Sequence, residues 1–154
     1  MSYGQAYEDR LDHVASELQR ASALTTDLFV NVISTCTRFP VLAKAGKTAR
    51  IRQLIEVGAQ LDAALALIEL ELPQWRLRHL ALDGGQWYCS LSRQPNLPIG
   101  LDDTADGQHE HIVLASLTAF IEALHMSRVA RLSTVHAVAA CGADGYPICC
   151  DNFS

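Results

Sequence analysis

The chain has 154 residues and a mass of 16.8 kDa, which makes one domain with a core of its own the default. With 49% hydrophobic and 19% charged residues it is not a disordered or low-complexity chain, and a net charge of −5 argues against a duplex nucleic-acid binder, which would carry a basic face. A membrane span is not expected either, because the best apolar candidate, Leu24 to Ala43, is interrupted by Asp27 and Arg38.

The first ten residues, Met-Ser-Tyr-Gly-Gln-Ala-Tyr-Glu-Asp-Arg, lack the basic region and apolar core of a signal peptide. The five cysteines (Cys36, Cys89, Cys141, Cys149 and Cys150) are odd in number and scattered, with three near the end, which is not the layout of a disulfide framework. Reduced thiols in a cytoplasmic protein are the expectation.

From Tyr3 to Arg20 the apolar residues Tyr7, Leu11, Val14 and Leu18 recur in steps of three and four, tracing one stripe of an amphipathic helix. Thr25, Thr26 and Asp27 offer N-caps for a second segment carrying Phe29, Val32 and Ile33. Pro40 predicts a bend or a new short helix, which Gly46 ends. A long helix is expected from an N-cap at Thr48 to about Glu71, with Ile51, Leu54, Ile55, Gly58, Leu61, Leu65, Ile68 and Leu72 on its apolar face and Pro73 as the stop. Gly58 on that face suggests a close crossing by another element.

The pattern changes to period 2 between Gln74 and Arg93, with Asp83-Gly84-Gly85 in the middle, and predicts a β-hairpin of about 74–82 and 86–93. A two-residue loop would place Arg76 and Arg78 on one face with Trp87, Cys89 and Leu91. A three-residue loop pairs Leu82 with Gln86, Leu80 with Tyr88 and Leu77 with Leu91. It collects Trp75, Leu77, His79, Ala81, Trp87, Cys89 and Leu91 on one mostly apolar face, and is the register expected. Two strands alone are marginal in water, so that face needs a helix or a second hairpin over it. After the turn-rich Pro95–Gly100 stretch and an acidic loop, a helix starting near Asp106 or Gln108 runs through Ala130. Val113, Leu117, Phe120, Ile121 and Leu124 form its main face, and Ile112, Ala115, Ala119 and Ala123 a second flank. Such a helix is wedged between elements or shared with another subunit. The last stretch, 142–154, reads as a loose tail.

Residues 69–124 resemble stretches of short uncharacterised bacterial proteins, through Leu-Pro-Gln-Trp-Arg-Leu-Arg, Trp-Tyr-Cys-Ser-Leu-Ser-Arg and Ala-Phe-Ile-Glu-Ala-Leu. The resemblance covers about a third of the chain, comes with no activity and transfers no functional residue.

Gly46-Lys47-Thr48 ends like a phosphate-binding P-loop, but Val41 stands where the motif needs a glycine and the preceding segment reads as helix. A broader anion site remains a candidate: Arg38, Lys44, Lys47, Arg50 and Arg52 occur with no acid between Val30 and Ile55, near a helix start. His79 and Cys89 face each other in the expected register, and an imidazolium can lower a thiol pKa, although both sit on the apolar face with no orienting carboxylate. His109 with His111, and His136 with Cys141, Cys149 and Cys150, lack the paired spacing of zinc sites, so no metal and no cofactor is expected.

The chain is thus expected to be a mostly helical α+β domain: an N-terminal helical segment (1–46), a helix–hairpin–helix core (47–131) and a C-terminal tail (132–154). The leading function is non-enzymatic protein interaction or scaffolding. A homodimer is expected, with Trp75, Leu77, Trp87, Leu117, Phe120 and Leu124 carrying the contacts. The partner protein is unspecified, and neither nucleic acid nor membrane is expected. The alternatives are an anion- or phosphate-ligand-binding regulator using Lys44, Lys47, Arg50 and Arg52, and a small cysteine enzyme using Cys89 and His79.

Overall fold

A computed structural model describes residues 3–46, 48–94, 96–98 and 102–144, with 131–144 as helical backbone. Among these residues lie helices α1 (Tyr3–Arg20), α2 (Thr26–Ser34), α3 (Phe39–Lys44), α4 (Ala49–Glu56), α5 (Gln60–Glu71) and α6 (Ile112–Asp144), with strands β1 (Arg76–Asp83), β2 (Gln86–Ser92) and β3 (Thr104–His109). The fold is α+β and mostly helical, with an antiparallel sheet in the order β1-β2-β3.

The turn between β1 and β2 differs from the three-residue expectation. Asp83 pairs with Gln86, so the loop is Gly84-Gly85 alone. Both glycines have positive φ, 59° and 82°, as the two-residue turn that suits the strand twist requires. From the turn inward, Leu82 faces Trp87, Ala81 faces Tyr88, Leu80 faces Cys89 and His79 faces Ser90. The register then shifts between Leu77 and His79, with Arg78 as the extra residue of a β-bulge, and Leu77 meets Leu91 as expected. The bulge removes the objection to the shorter loop. It lets Leu77, Leu80 and Leu82 share the face of Leu91, Cys89 and Trp87, while His79 and Ala81 move to the other face.

The third strand replaces what reads in sequence as loop and helix start. Thr104–His109 is poor in strand-favouring residues, but it alternates, with Ala105 and Gly107 buried and Asp106 and Gln108 exposed. The outer face of the sheet is polar: Gln86 accepts from Gln108, Ser90 donates to Asp106, and Ser92 donates to Asp102 at 2.5 Å. Its inner face receives α6, which contacts β2 and β3 on one side and α1 and α5 on the other. Leu114, Ala115, Leu117, Ala119, Phe120, Ile121, Ala123 and Leu124 of this helix are all buried. By length and composition Ile112–Ala130 is apolar enough to cross a membrane, yet half of that stretch is covered by the protein itself as the core helix.

The long 48–71 helix of the sequence reading is two helices. Gly58, at φ 81°, ends α4, and no neighbouring atom lies within 4 Å of where its Cβ would be, so it breaks the helix and does not admit a crossing element. Thr25 caps α2, its Oγ1 accepting from Leu28 N at 3.2 Å, and Pro40 lies in the first turn of the short α3. At the far end, the α6 backbone continues past Ala130 to Asp144, into the 132–154 stretch read as tail.

Gly107 is where sheet and helix come closest. A Cβ there would overlap the carbonyl oxygen of Ala115 and stand 2.5 Å from the Ala119 nitrogen, both backbone atoms of α6. Gly107→Ala should therefore destabilise the fold by about 3 kcal/mol, the upper end for overpacking a core. Urea denaturation checks this, and an unchanged midpoint would refute the close approach.

Candidate functional site

Cys89 and His79 do not meet. Cys89 lies on the inner face opposite Leu80, 1% exposed, whereas His79 lies on the outer face opposite Ser90 and is exposed. The separation follows from the two-residue turn, which moves every residue of β1 between the turn and the bulge by one position relative to β2. Burial pushes the Cys89 thiol up from 9.0 to about 11; the Ser116 side chain pulls partly back and the Asp106 charge adds to the rise. Cys36 is also buried, and desolvation, then the charge of Glu71, raises its thiol well above the ordinary range. Both are free thiols held in the protonated, unreactive form.

The basic segment is dispersed over two helices. Lys44 is exposed in the last turn of α3, and Arg50 and Arg52 are exposed on α4, while Lys47 lies outside the described residues. The nearest arrangement that captures negative charge is occupied by the protein's own Glu71. This carboxylate is 4% exposed at the end of α5, and it accepts from Thr37 N (2.8 Å), Thr37 Oγ1 (3.2 Å), Arg38 N (3.1 Å) and Phe39 N (3.1 Å). Free amides at the start of α3 thus hold the end of α5. His109 and His111 stack with ring centroids 5.7 Å apart, and His109 Nδ1 accepts from the His111 amide. Among the described residues no three His, Cys, Asp or Glu side chains gather as a metal site. The side chains of His136, Cys141, Cys149 and Cys150 lie outside the described ones.

The six apolar interaction candidates divide by exposure. Trp75 is 3% exposed; its Nε1 donates to Ser127 Oγ at 2.9 Å and its ring lies 5.3 Å from the Arg93 guanidinium. Leu117 and Phe120 are fully buried and Leu124 nearly so. Leu77, by contrast, is 42% exposed, and Trp87 is partly covered. Leu82, absent from the sequence candidates, is 57% exposed on the same inner face. Helix α6 covers β2 and β3 and leaves the inner face of β1 largely open. Beside it, a cleft of about 520 Å³ runs between α5 and β1, lined by Leu65, Ile68, Pro73, Trp75, Leu77 and Leu91 among others. Sequence reasoning missed Leu82 because the expected register assigns it to the polar face.

No family model, curated protein or solved structure matches the chain.

Three measurements test the assignment of buried groups. Glu71→Ala leaves several amides without their charged acceptor and should cost about 3 kcal/mol in urea unfolding; a loss below about 1 kcal/mol, within the range of an ordinary neutral hydrogen bond, would sink the claim. For Cys89, a folded-state pKa above the unfolded one means the contribution is complete below pH 9 and lost as pH rises through about 11. The folded chain should accordingly resist alkylation at Cys89 at pH 8. Its stability should also fall more between pH 9 and 11 than that of Cys89→Ala, and parallel pH profiles would refute the shift.

Proposed function

We propose that the protein is a non-enzymatic interaction domain that associates through the inner face of β1, with a homodimer as its simplest assembly. The observation that supports this is the leucine row of that strand. Leu77 and Leu82 are 42% and 57% exposed, whereas the inward Cys89 and Leu91 of β2 and Ala105 and Gly107 of β3 are buried under α6. Scattered single exposed leucines are ordinary, but these form one strand face that continues into the apolar cleft beside α5. The enzyme alternative loses its support with the separation of Cys89 and His79 on opposite faces of the sheet.

Among the described residues, the apolar stripes of α1 and α6 do not supply the surface. Leu11, Val14 and Leu18 of α1 are buried in the same core as Leu117, Phe120 and Leu124 of α6, so their stripes are used within the chain. Association is assigned to β1, where the exposed leucines share one strand face.

Light scattering after size exclusion, across a concentration series, should give a mass near twice 16.8 kDa. Leu82→Lys should bring it to the monomer value while moving the unfolding free energy by no more than about 0.5 kcal/mol, as for other exposed positions. A monomer at every concentration would refute the homodimer, and an undiminished dimer mass in the variant would move the interface off β1.

A further inference from the structure

We propose that β1 is completed by β1 of a second copy, paired antiparallel about a two-fold axis through Ala81. This assignment rests on the association proposed above and specifies its register.

The backbone supplies the first constraint. In a two-residue hairpin the pair flanking the loop is hydrogen-bonded, here Asp83 with Gln86, and bonded and non-bonded pairs then alternate along the ladder. Asp83, Ala81 and His79 therefore direct their N–H and C=O groups toward β2. Leu80 and Leu82 direct theirs to the free side. Among the described residues no backbone hydrogen bond reaches Leu80 or Leu82 from that side. β1 is thus a strand edge with donors and acceptors in place, and addition of a strand is the standard way such an edge is satisfied.

The second constraint is the regular stretch itself. Between the bulge at Arg78 and the turn at Gly84, the strand is regular over His79, Leu80, Ala81, Leu82 and Asp83. Its midpoint is Ala81. With the axis there, each Leu80 faces Leu82 of the other copy on the inner side, and each His79 faces Asp83 on the outer side, an imidazole against a carboxylate. The small Ala81 meets its counterpart in a non-bonded pair, where side chains come closest. Moving the axis to Leu80 sets the bulged Arg78 opposite Leu82. Moving it to Leu82 sets the turn residue Gly84 opposite Leu80. A one-residue slip would instead put leucines of one strand opposite the polar face of the other. Only the Ala81 axis matches apolar to apolar and acid to base, and keeps both the bulge and the turn out of the ladder. The occupant that fits this edge is the edge itself.

The test is disulfide trapping in the full chain, with Cys141, Cys149 and Cys150 changed to Ser and oxidised glutathione as the oxidant. In a non-bonded antiparallel pair the Cα atoms stand about 4.5 Å apart, within disulfide range. Ala81→Cys should therefore run almost wholly as a cross-linked dimer on a non-reducing gel, whereas Gln53→Cys, exposed on α4, should stay monomeric. Mixing His79→Cys with Asp83→Cys should trap the mixed dimer, and either variant alone should trap at least tenfold less. These two variants keep the test independent of any effect of the Ala81 change on folding. A dimeric mass with no trapping at 81 and none in the mixture would overturn this register and leave the association standing. A monomeric mass at every concentration would overturn both, leaving the edge to a strand from another protein or from residues 145–154.

Discussion

Gly107 lies directly on the backbone of α6, and much of the molecule is arranged around that contact. The absence of a Cβ lets β3 settle against Ala115 and Ala119 at a distance no other residue allows. At helical spacing, Ala123 continues this small-residue side while Leu117, Phe120 and Leu124 lie opposite, toward α1 and α5. One helix therefore serves two layers: its flat alanine side takes a sheet, and its bulky side takes helices. Burying a side chain of leucine or phenylalanine size stabilises by roughly 1.5–3 kcal/mol. The row Leu114, Leu117, Phe120, Ile121 thus supplies much of the drive for folding, while the alanines and Gly107 determine how close the layers come.

The remaining parts are attached by buried polar groups whose hydrogen bonds offset their desolvation. Glu71 is the clearest case, a carboxylate with four donors in the gap between α3 and α5. Removing it would leave the short α3, which cannot be stable alone at six residues, without the group that holds its start. A second network anchors the connection between β2 and β3: the Arg78 guanidinium donates to Asp102 (2.5 Å) and to the Leu97 carbonyl (2.8 Å), and Asp102 also accepts from Ser92. Arg78 is the bulged residue, so the same irregularity that corrects the facing of β1 also aims a cation at the loop. The Asp102 side chain is 3% exposed, which makes this an ion pair shielded from solvent screening.

Fold class, the α1 stripe, the α2 cap, the Pro40 helix start and the two flanks of α6 are legible in the sequence because each rests on local periodicity or a terminal residue. The hairpin is legible as an element but not as a register. Counting back from the turn by twos assumes an unbroken strand, and nothing local marks Arg78 as extra. The bulge becomes visible only when a long-range partner, Asp102, is known to wait for it. β3 is illegible for a related reason. Thr-Ala-Asp-Gly-Gln-His is a turn by composition, and it is a strand here because β2 offers an edge and α6 demands a glycine. The Cys89–His79 pairing fails with the register, while the exposed leucines of β1 emerge from the same correction.

The two edges of this sheet are built differently, and the difference bears on which one the proposed association would use. β3 is short, carries Asp106, Gly107 and Gln108 in its middle, and lies under α6 with its inward Ala105 and Gly107 buried. These are the features by which edges avoid further pairing. β1 is longer and carries Leu80, Ala81 and Leu82 in sequence, with no proline or lysine among them; its bulge is confined to the end away from the turn. A strand of that composition, regular between bulge and turn with Leu77 and Leu82 exposed, is a liability unless something pairs with it. The protection given to one edge and withheld from the other favours β1 over β3 as the edge of the proposed association.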